Sequence, residues 1–216
     1  MVLTLYTMDA SPPVRAVNMT IELLGLTDVE RIEVKLMELD QLKESYVKIN
    51  PQHSVPTLRD DDFVVWDSHA IVTYLITVYG ADDSLYPSDP KQRALIDQRL
   101  HFDSGILFPV FREVTDAIVF EGAKTFTPKT LANVNKAYDF MEKFLATPWL
   151  VGEDMTVADV CCVASISSIK ELVAIDEDLY PRLTAWLKRC SKKEFYKKGN
   201  EPGLTQYRAI ITSKLY

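Results

Sequence analysis

Apolar and polar positions along the chain follow two different rhythms, one before residue 80 and one after it. Residues 2–7 (VLTLYT) are a short β-rich run closed by Asp9, Ala10, Ser11, Pro12 and Pro13, and they predict a strand. From Pro13 the apolar positions Val14, Val17, Ile21 and Leu24 keep helical spacing until Gly25 ends the pattern. Residues 29–35 predict a second strand and 40–49 a polar helix. Residues 56–58 and 63–66 predict two short strands joined by the acidic turn Asp60–Asp61–Asp62, and 68–80 a helix closing on glycine. The order is β-α-β-α-β-β-α, in which the first three elements make a parallel unit and the later strands a hairpin.

The strand signal then fades. Residues 81–89 are turn-rich, and 90–121, 128–146, 156–173 and 181–198 all favour helix. The first of these carries two apolar stripes: Leu95, Phe102, Ile106 and Val110, and Leu107, Phe111, Val114 and Ile118. A helix with two apolar faces must be covered on both sides. The pattern predicts a small α/β domain over 1–80, a linker over 81–89 and an all-α domain over 90–216.

Composition narrows the function. With 47% hydrophobic and 25% charged residues the chain reads as a folded globular protein. No apolar stretch is long enough to span a bilayer, and no basic segment followed by an apolar run marks a signal peptide, so no membrane partner is expected. The net charge of −7 is uneven, since residues 1–80 hold 6 Lys/Arg against 12 Asp/Glu. Such a surface repels a phosphate backbone, so no nucleic-acid partner is expected. Cys161, Cys162 and Cys190 form no CxxC, and an odd count is no disulfide framework, which points to a cytoplasmic protein. His53, His69 and His101 lack metal-ligand spacing, and no metal is expected.

Three places carry candidate chemistry. Pro12 forces Ser11 toward an extended conformation, while Pro13 suits a first helical turn. Ser11 thus holds a hydroxyl at a strand's carboxyl end, beside a helix amino terminus that favours a developing anion; a plain serine cap is the competing reading. In NPQHSVPTL (50–58), Val55–Pro56 opens a strand. Trans is the default for that bond, although the start of a hairpin strand is a common place for cis. His53 there also fits a surface turn. In WDSHAI (66–71), Ser68 reads as a helix cap at a ready anion site, and Asp67 could pair with an ammonium group. Thr156 and Asp159 fit a capping box, a structural role worth about 0.5–2 kcal/mol.

SPPVRAV, NPQHSVPTL, WDSHAIVTYL and LVGEDMTVADV, in this order and spacing, make the chain resemble a cytosolic glutathione transferase over essentially its whole length, most like the insect epsilon class. The resemblance implies a thioredoxin-like amino-terminal domain, an all-α carboxyl-terminal domain and a homodimer. It implies glutathione as co-substrate with no further cofactor, and a small hydrophobic electrophile as its acceptor. Ser11 would hydrogen-bond the glutathione thiolate, Val55 before a cis Pro56 would pair with the cysteinyl backbone, Asp67 and Ser68 would hold the γ-glutamyl end, and His53 the glycyl end. Gln41 stands where related sequences often have histidine, so it would meet the glycyl end without charge. The electrophile pocket would draw on Phe108, Phe111, Arg112, Thr115, Asp116 (where glutamate is common), Phe120 and Tyr207. Aromatic residues at helical spacing also fit a plain core. The alternative is a binding protein for glutathione or hydrophobic ligands without useful turnover. A thioredoxin-like oxidoreductase is excluded, because Ser11–Pro12–Pro13–Val14 contains no thiol.

Overall fold

The structure is a computed structural model that describes residues 3–215. Strands β1 (Leu3–Thr7), β2 (Val29–Glu33), β3 (Thr57–Asp60) and β4 (Phe63–Trp66) form one mixed sheet in the order β2-β1-β3-β4. β1 runs parallel to β2 and antiparallel to β3, with Leu5 opposite Arg31 on one side and Leu58 on the other. Helix α1 (Pro12–Leu24) and helix α3 (Ser68–Tyr79) press Val14, Val17, Ile71, Val72 and Leu75 onto Leu5 and Leu58, all without solvent exposure. Gly25 ends α1 at φ 64, a left-handed position that costs a β-carbon-free residue little.

The polar helix expected over 40–49 does not form as one element. Two 3-10 turns, Leu36–Glu38 and Asp40–Leu42, lead into a four-residue helix, α2 (Glu44–Val47). Leu39 is left-handed (φ 61) and Lys43 is extended, while Asp40 accepts from the Lys35 N–H at 3.1 Å and pairs with Lys43 at 2.6 Å. Tyr46 is the one buried side chain of α2, too little apolar surface to hold a longer helix.

The helical half begins at α4 (Pro90–Phe102) and continues through a π-helical turn (Asp103–Leu107) into α5 (Phe108–Val119). Residues 90–121 were expected as one regular helix. Pro109 lacks an N–H and its ring crowds the carbonyl one turn back, and the π turn absorbs the conflict. Then come α6 (Pro128–Phe144), α7 (Val157–Leu172), α8 (Pro181–Ser191), α9 (Glu194–Gly199) and α10 (Glu201–Leu215). The helix expected over 181–198 is broken at Lys193, which is extended. Helix α10 was not expected at all.

Helix α7 is buried almost along its length and packs on α1, so the two halves share one apolar core. The α9–α10 junction closes on the same helix. A β-carbon at Gly199 would lie 2.6 Å from the Met19 backbone, and one at Gly203 would lie 2.0 Å from the Asp9 carbonyl oxygen. α1 is therefore clamped from both sides just behind Ser11.

Candidate functional site

Ser11 occupies the cap position of α1 at φ −74, ψ 125, the extended conformation Pro12 requires. Its N–H donates to the Met8 carbonyl at 2.9 Å, but its side chain makes no capping bond. The hydroxyl is thus left at the amino end of a helix without a structural task, which argues against the plain-cap reading.

The second corner is built differently from its sequence reading. Asp67, not Ser68, caps α3: at φ 75 its Oδ1 accepts from the N–H groups of His69 (2.9 Å) and Ala70 (3.1 Å). Ser68 is the first helical residue and is buried. The bond between Val55 and Pro56 is cis, and the sheet ladder starts only at Thr57, so Val55 stands outside it. Behind it Asn50, fully buried, donates to the Ser54 carbonyl (3.0 Å) and Thr57 Oγ1 (3.0 Å) and accepts from the Gln52 N–H (2.9 Å). That side chain holds the loop in shape and puts the exposed His53 at φ 45 on its rim.

A cleft of about 170 Å³ lies between these corners and the helical half. Val55, Pro56, Asp67 and Ser68 line one side, Asp103, Ser104 and Phe108 the other, with Pro13 and His69 between. Four of the predicted glutathione residues and one predicted pocket residue therefore meet in one place. Gln41 and His53 lie outside the lining, and so does Ser11, next but one in sequence to Pro13. Gln41 presents a buried Oε1 with no hydrogen-bond partner.

The other predicted pocket residues are not in the cleft. Phe111 stacks on Phe108 (5.7 Å between centroids) and meets Tyr207 (5.6 Å), whose hydroxyl shares a 2.8 Å hydrogen bond with Thr115 Oγ1. Phe111 and Tyr207 are buried, and burial pushes the Tyr207 phenol up to about 12. They are a packed seam joining α5 to α10. Arg112 and Asp116 pair with each other at 2.7 Å, one turn apart on the exposed face of α5. Phe120, just past the end of α5, is 64% exposed and does not line the cleft.

His69, read from sequence only as a histidine without metal-ligand spacing, and Asp103 are not among the predicted site residues. His69 Nε2 and Asp103 Oδ2 are 2.9 Å apart, joining the start of α3 to the π turn across the cleft. Burial alone would push the imidazole down, but Cys161 and the Asp103 carboxylate outweigh it and carry the pKa up to about 11. Burial raises the Cys161 pKa and the facing imidazole opposes that rise, while Asp103 Oδ2 is the carboxylate oxygen in direct hydrogen-bond contact with the ring. Asp103 Oδ1 is buried without a hydrogen bond. His69 was visible inside WDSHAI; only its partner, 34 residues away, gives it a role.

A larger cavity, about 400 Å³, lies on the far side of the helical half among α7, α8 and α10, and none of the predicted site residues lines it. The arrangement suits a small peptide: the cleft offers the α3 amino end and an extended segment outside the ladder, and the Ser11 hydroxyl stands at the α1 amino end, next but one in sequence to Pro13 in its wall.

Comparison with known proteins agrees with this geometry. The family described as Glutathione S-transferase, N-terminal domain, matches residues 5–83, and Glutathione S-transferase, C-terminal domain, matches residues 70–194. The chain is 57% identical to Glutathione S-transferase 1 of Manduca sexta over all of both chains. An epsilon-class glutathione S-transferase of the housefly Musca domestica superposes with a TM-score of 0.94 at 40% identity, covering 98% of each chain. A glutathione transferase homolog of Drosophila mojavensis, solved with bound glutathione, gives a TM-score of 0.94 at 41% identity, covering 100% of this chain and 98% of that one.

Proposed function

The chain belongs to the glutathione S-transferase family, and on that premise we propose that the Ser11 corner is the point at which it activates glutathione. The enzyme conjugates glutathione to small, mostly apolar electrophiles. A free thiol near pKa 8.5 is mostly protonated at neutral pH, and the thiolate is the nucleophile. Ser11 donates a hydrogen bond to the sulfur and favours its ionised form, and the amino end of α1 adds a partial positive charge. The serine does not itself attack. Val55, outside the ladder, pairs with the cysteinyl backbone, the α3 amino end with Asp67 and Ser68 takes the γ-glutamyl end, and His53 with Gln41 takes the glycyl end. Phe108 offers the electrophile its apolar wall, with Arg112, Thr115, Asp116 and Phe120 outside first contact.

The observation that carries this reading is the Ser11 hydroxyl, free of any cap, at a helix amino end beside the cleft. The experiment is a conjugation assay with a chloronitrobenzene acceptor, run with wild-type protein and Ser11→Ala and paired with glutathione-affinity binding. Conjugation that falls in the variant while binding holds supports the reading. Equal rates overturn it. A binder without turnover is not favoured, since the similar proteins bear the name of transferases.

The chain divides into a glutathione-binding unit over 1–80 and a helical unit over 90–216, joined by 81–89; α3 ends at Tyr79 and α4 starts at Pro90. It works as a homodimer in the cytoplasm. Exposed Phe63, Val78 and Leu95 support the dimer, and three cysteines without disulfides support the compartment.

A further inference from the structure

Arg15 follows Ser11 by one helical turn, its N–H donating to the Ser11 carbonyl at 3.1 Å. Its side chain has no solvent exposure. The guanidinium donates to Asn200 Oδ1 (2.7 Å), Ser167 Oγ (3.3 Å), the Ala164 carbonyl (3.2 Å) and Ser168 Oγ, and its Nε has no partner. Every acceptor is neutral. A tether between α1 and α7 could be built without charge at lower desolvation cost, so a cation buried here without a carboxylate calls for a reason.

The surroundings give that charge no directly bonded counter-ion. In the loop before α1, Asp9 Oδ1 accepts from Thr7 Oγ1 (2.6 Å) and Asn18 Nδ2 (3.2 Å). On α7, Glu171 is taken by Arg208, with Nε to Oε2 and a second amino group to Oε1 both at 3.0 Å. On α10, Glu201 also faces Arg208, at 3.5 Å. Tyr196 on α9 and Tyr207 on α10 are phenols whose ionisation burial opposes. At the cleft, His69 and Asp103 neutralise each other, and Asp67 is bound to the α3 amino end. Burial lowers the Arg15 pKa to about 10, which leaves it cationic at neutral pH.

We propose that Arg15 is a second source of thiolate stabilisation: its carboxylate-free charge, sealed one turn behind Ser11, favours the ionised sulfur of bound glutathione. The inference rests on the Ser11 reading above. It differs from a purely structural role in one respect: a carboxylate placed on Arg15 would strengthen the tether and cancel the field.

Asn200→Asp does this nearly isosterically, because Asn200 Oδ1 already accepts from Arg15 at 2.7 Å; the Ser167 hydroxyl, which accepts from Asn200 Nδ2 at 3.3 Å, must turn to donate to the new carboxylate oxygen. Ser168→Asp does it from another element, and Arg15→Gln removes the charge outright. The readouts are the ultraviolet thiolate absorbance of bound glutathione titrated against pH, the pH profile of kcat/KM, and the melting temperature. The expected result in each folded variant is a thiol pKa raised by about 0.5–1 unit, consistent with one charge acting through a partly buried path. Turnover falls at neutral pH and recovers at alkaline pH, and Asn200→Asp melts no lower than wild type. An unmoved thiol pKa in any folded variant of the three overturns the proposal and leaves Arg15 as a tether. Ser11→Ala runs alongside: if it too leaves the thiol pKa unmoved, the reading of Ser11 fails as well, whereas a shift in Ser11→Ala alone condemns only Arg15.

Discussion

Ser11 and Ser68 both stand at the amino end of a helix, yet neither caps it, and that changes what their loss should do. Ser11 has no structural bond to lose. Ser11→Ala should melt like wild type and keep its KM for glutathione while turnover falls; removal of one such donor elsewhere costs about 10²–10³ in rate. Steady-state kinetics with a melting curve checks both halves. The α3 cap is Asp67, so Asp67→Ala should lose about 1 kcal/mol, roughly 2–4 °C in melting temperature, and raise KM for glutathione. Ser68→Ala should raise KM without that melting loss. Equal melting losses in the two variants would return the cap to Ser68.

Among the elements, those carrying long apolar periodicity were legible in the sequence, and those fixed by contacts elsewhere were not. α1, α3, α6 and α7 follow from spacing, and the Thr156–Asp159 box was readable as a pair three residues apart. Its reach was not. Asp159, buried in α7, accepts from the N–H groups of Thr156 (2.9 Å) and Leu150 (3.0 Å) and from Trp186 Nε1 (2.9 Å). Asp159→Ala leaves three buried donors without an acceptor and should cost about 3 kcal/mol or more, beyond the 0.5–2 kcal/mol of a cap alone. Thr156→Ala should stay within the cap range, and comparative melting separates them. α10 carries Pro202 and Gly203 near its start, two residues that disfavour a helix interior. Pro202 instead sits in the first turn, where its missing N–H is harmless, and Gly203 is demanded by the Asp9 backbone across the junction. The site divides in the same way: the two helix corners were legible from Ser11, Asp67 and Ser68, whereas His69, Asp103 and Arg15 act through partners 34 to 185 residues away.

At the scale of the whole molecule, the homodimer proposed above should appear as a dimer in sedimentation at micromolar concentration, with Leu95→Glu, at a half-exposed position of α4, shifting it toward monomer. Within one chain the two halves are joined by a bond whose strength depends on pH. His69 belongs to α3 and Asp103 to the π turn, and Cys161 of α7 together with Asp103 raises the folded-state pKa of His69 to about 11, above the ordinary value of 6.5. A group whose pKa rises on folding binds its proton more tightly in the native state. Its contribution is therefore complete below pH 6.5 and is lost progressively as pH climbs toward 11. His69→Gln keeps a hydrogen-bonding side chain but cannot carry the proton. The melting temperature of wild type minus that of His69→Gln should therefore be positive and should shrink steadily from about pH 6.5 to about pH 10. Staying above pH 6 keeps protonation of the remaining carboxylates out of the comparison. A gap that stays constant across this range would mean that the imidazole is neutral in the native protein. Asp103 would then be accepting a hydrogen bond from an uncharged ring, and the cleft would lose the one cation that joins its two walls.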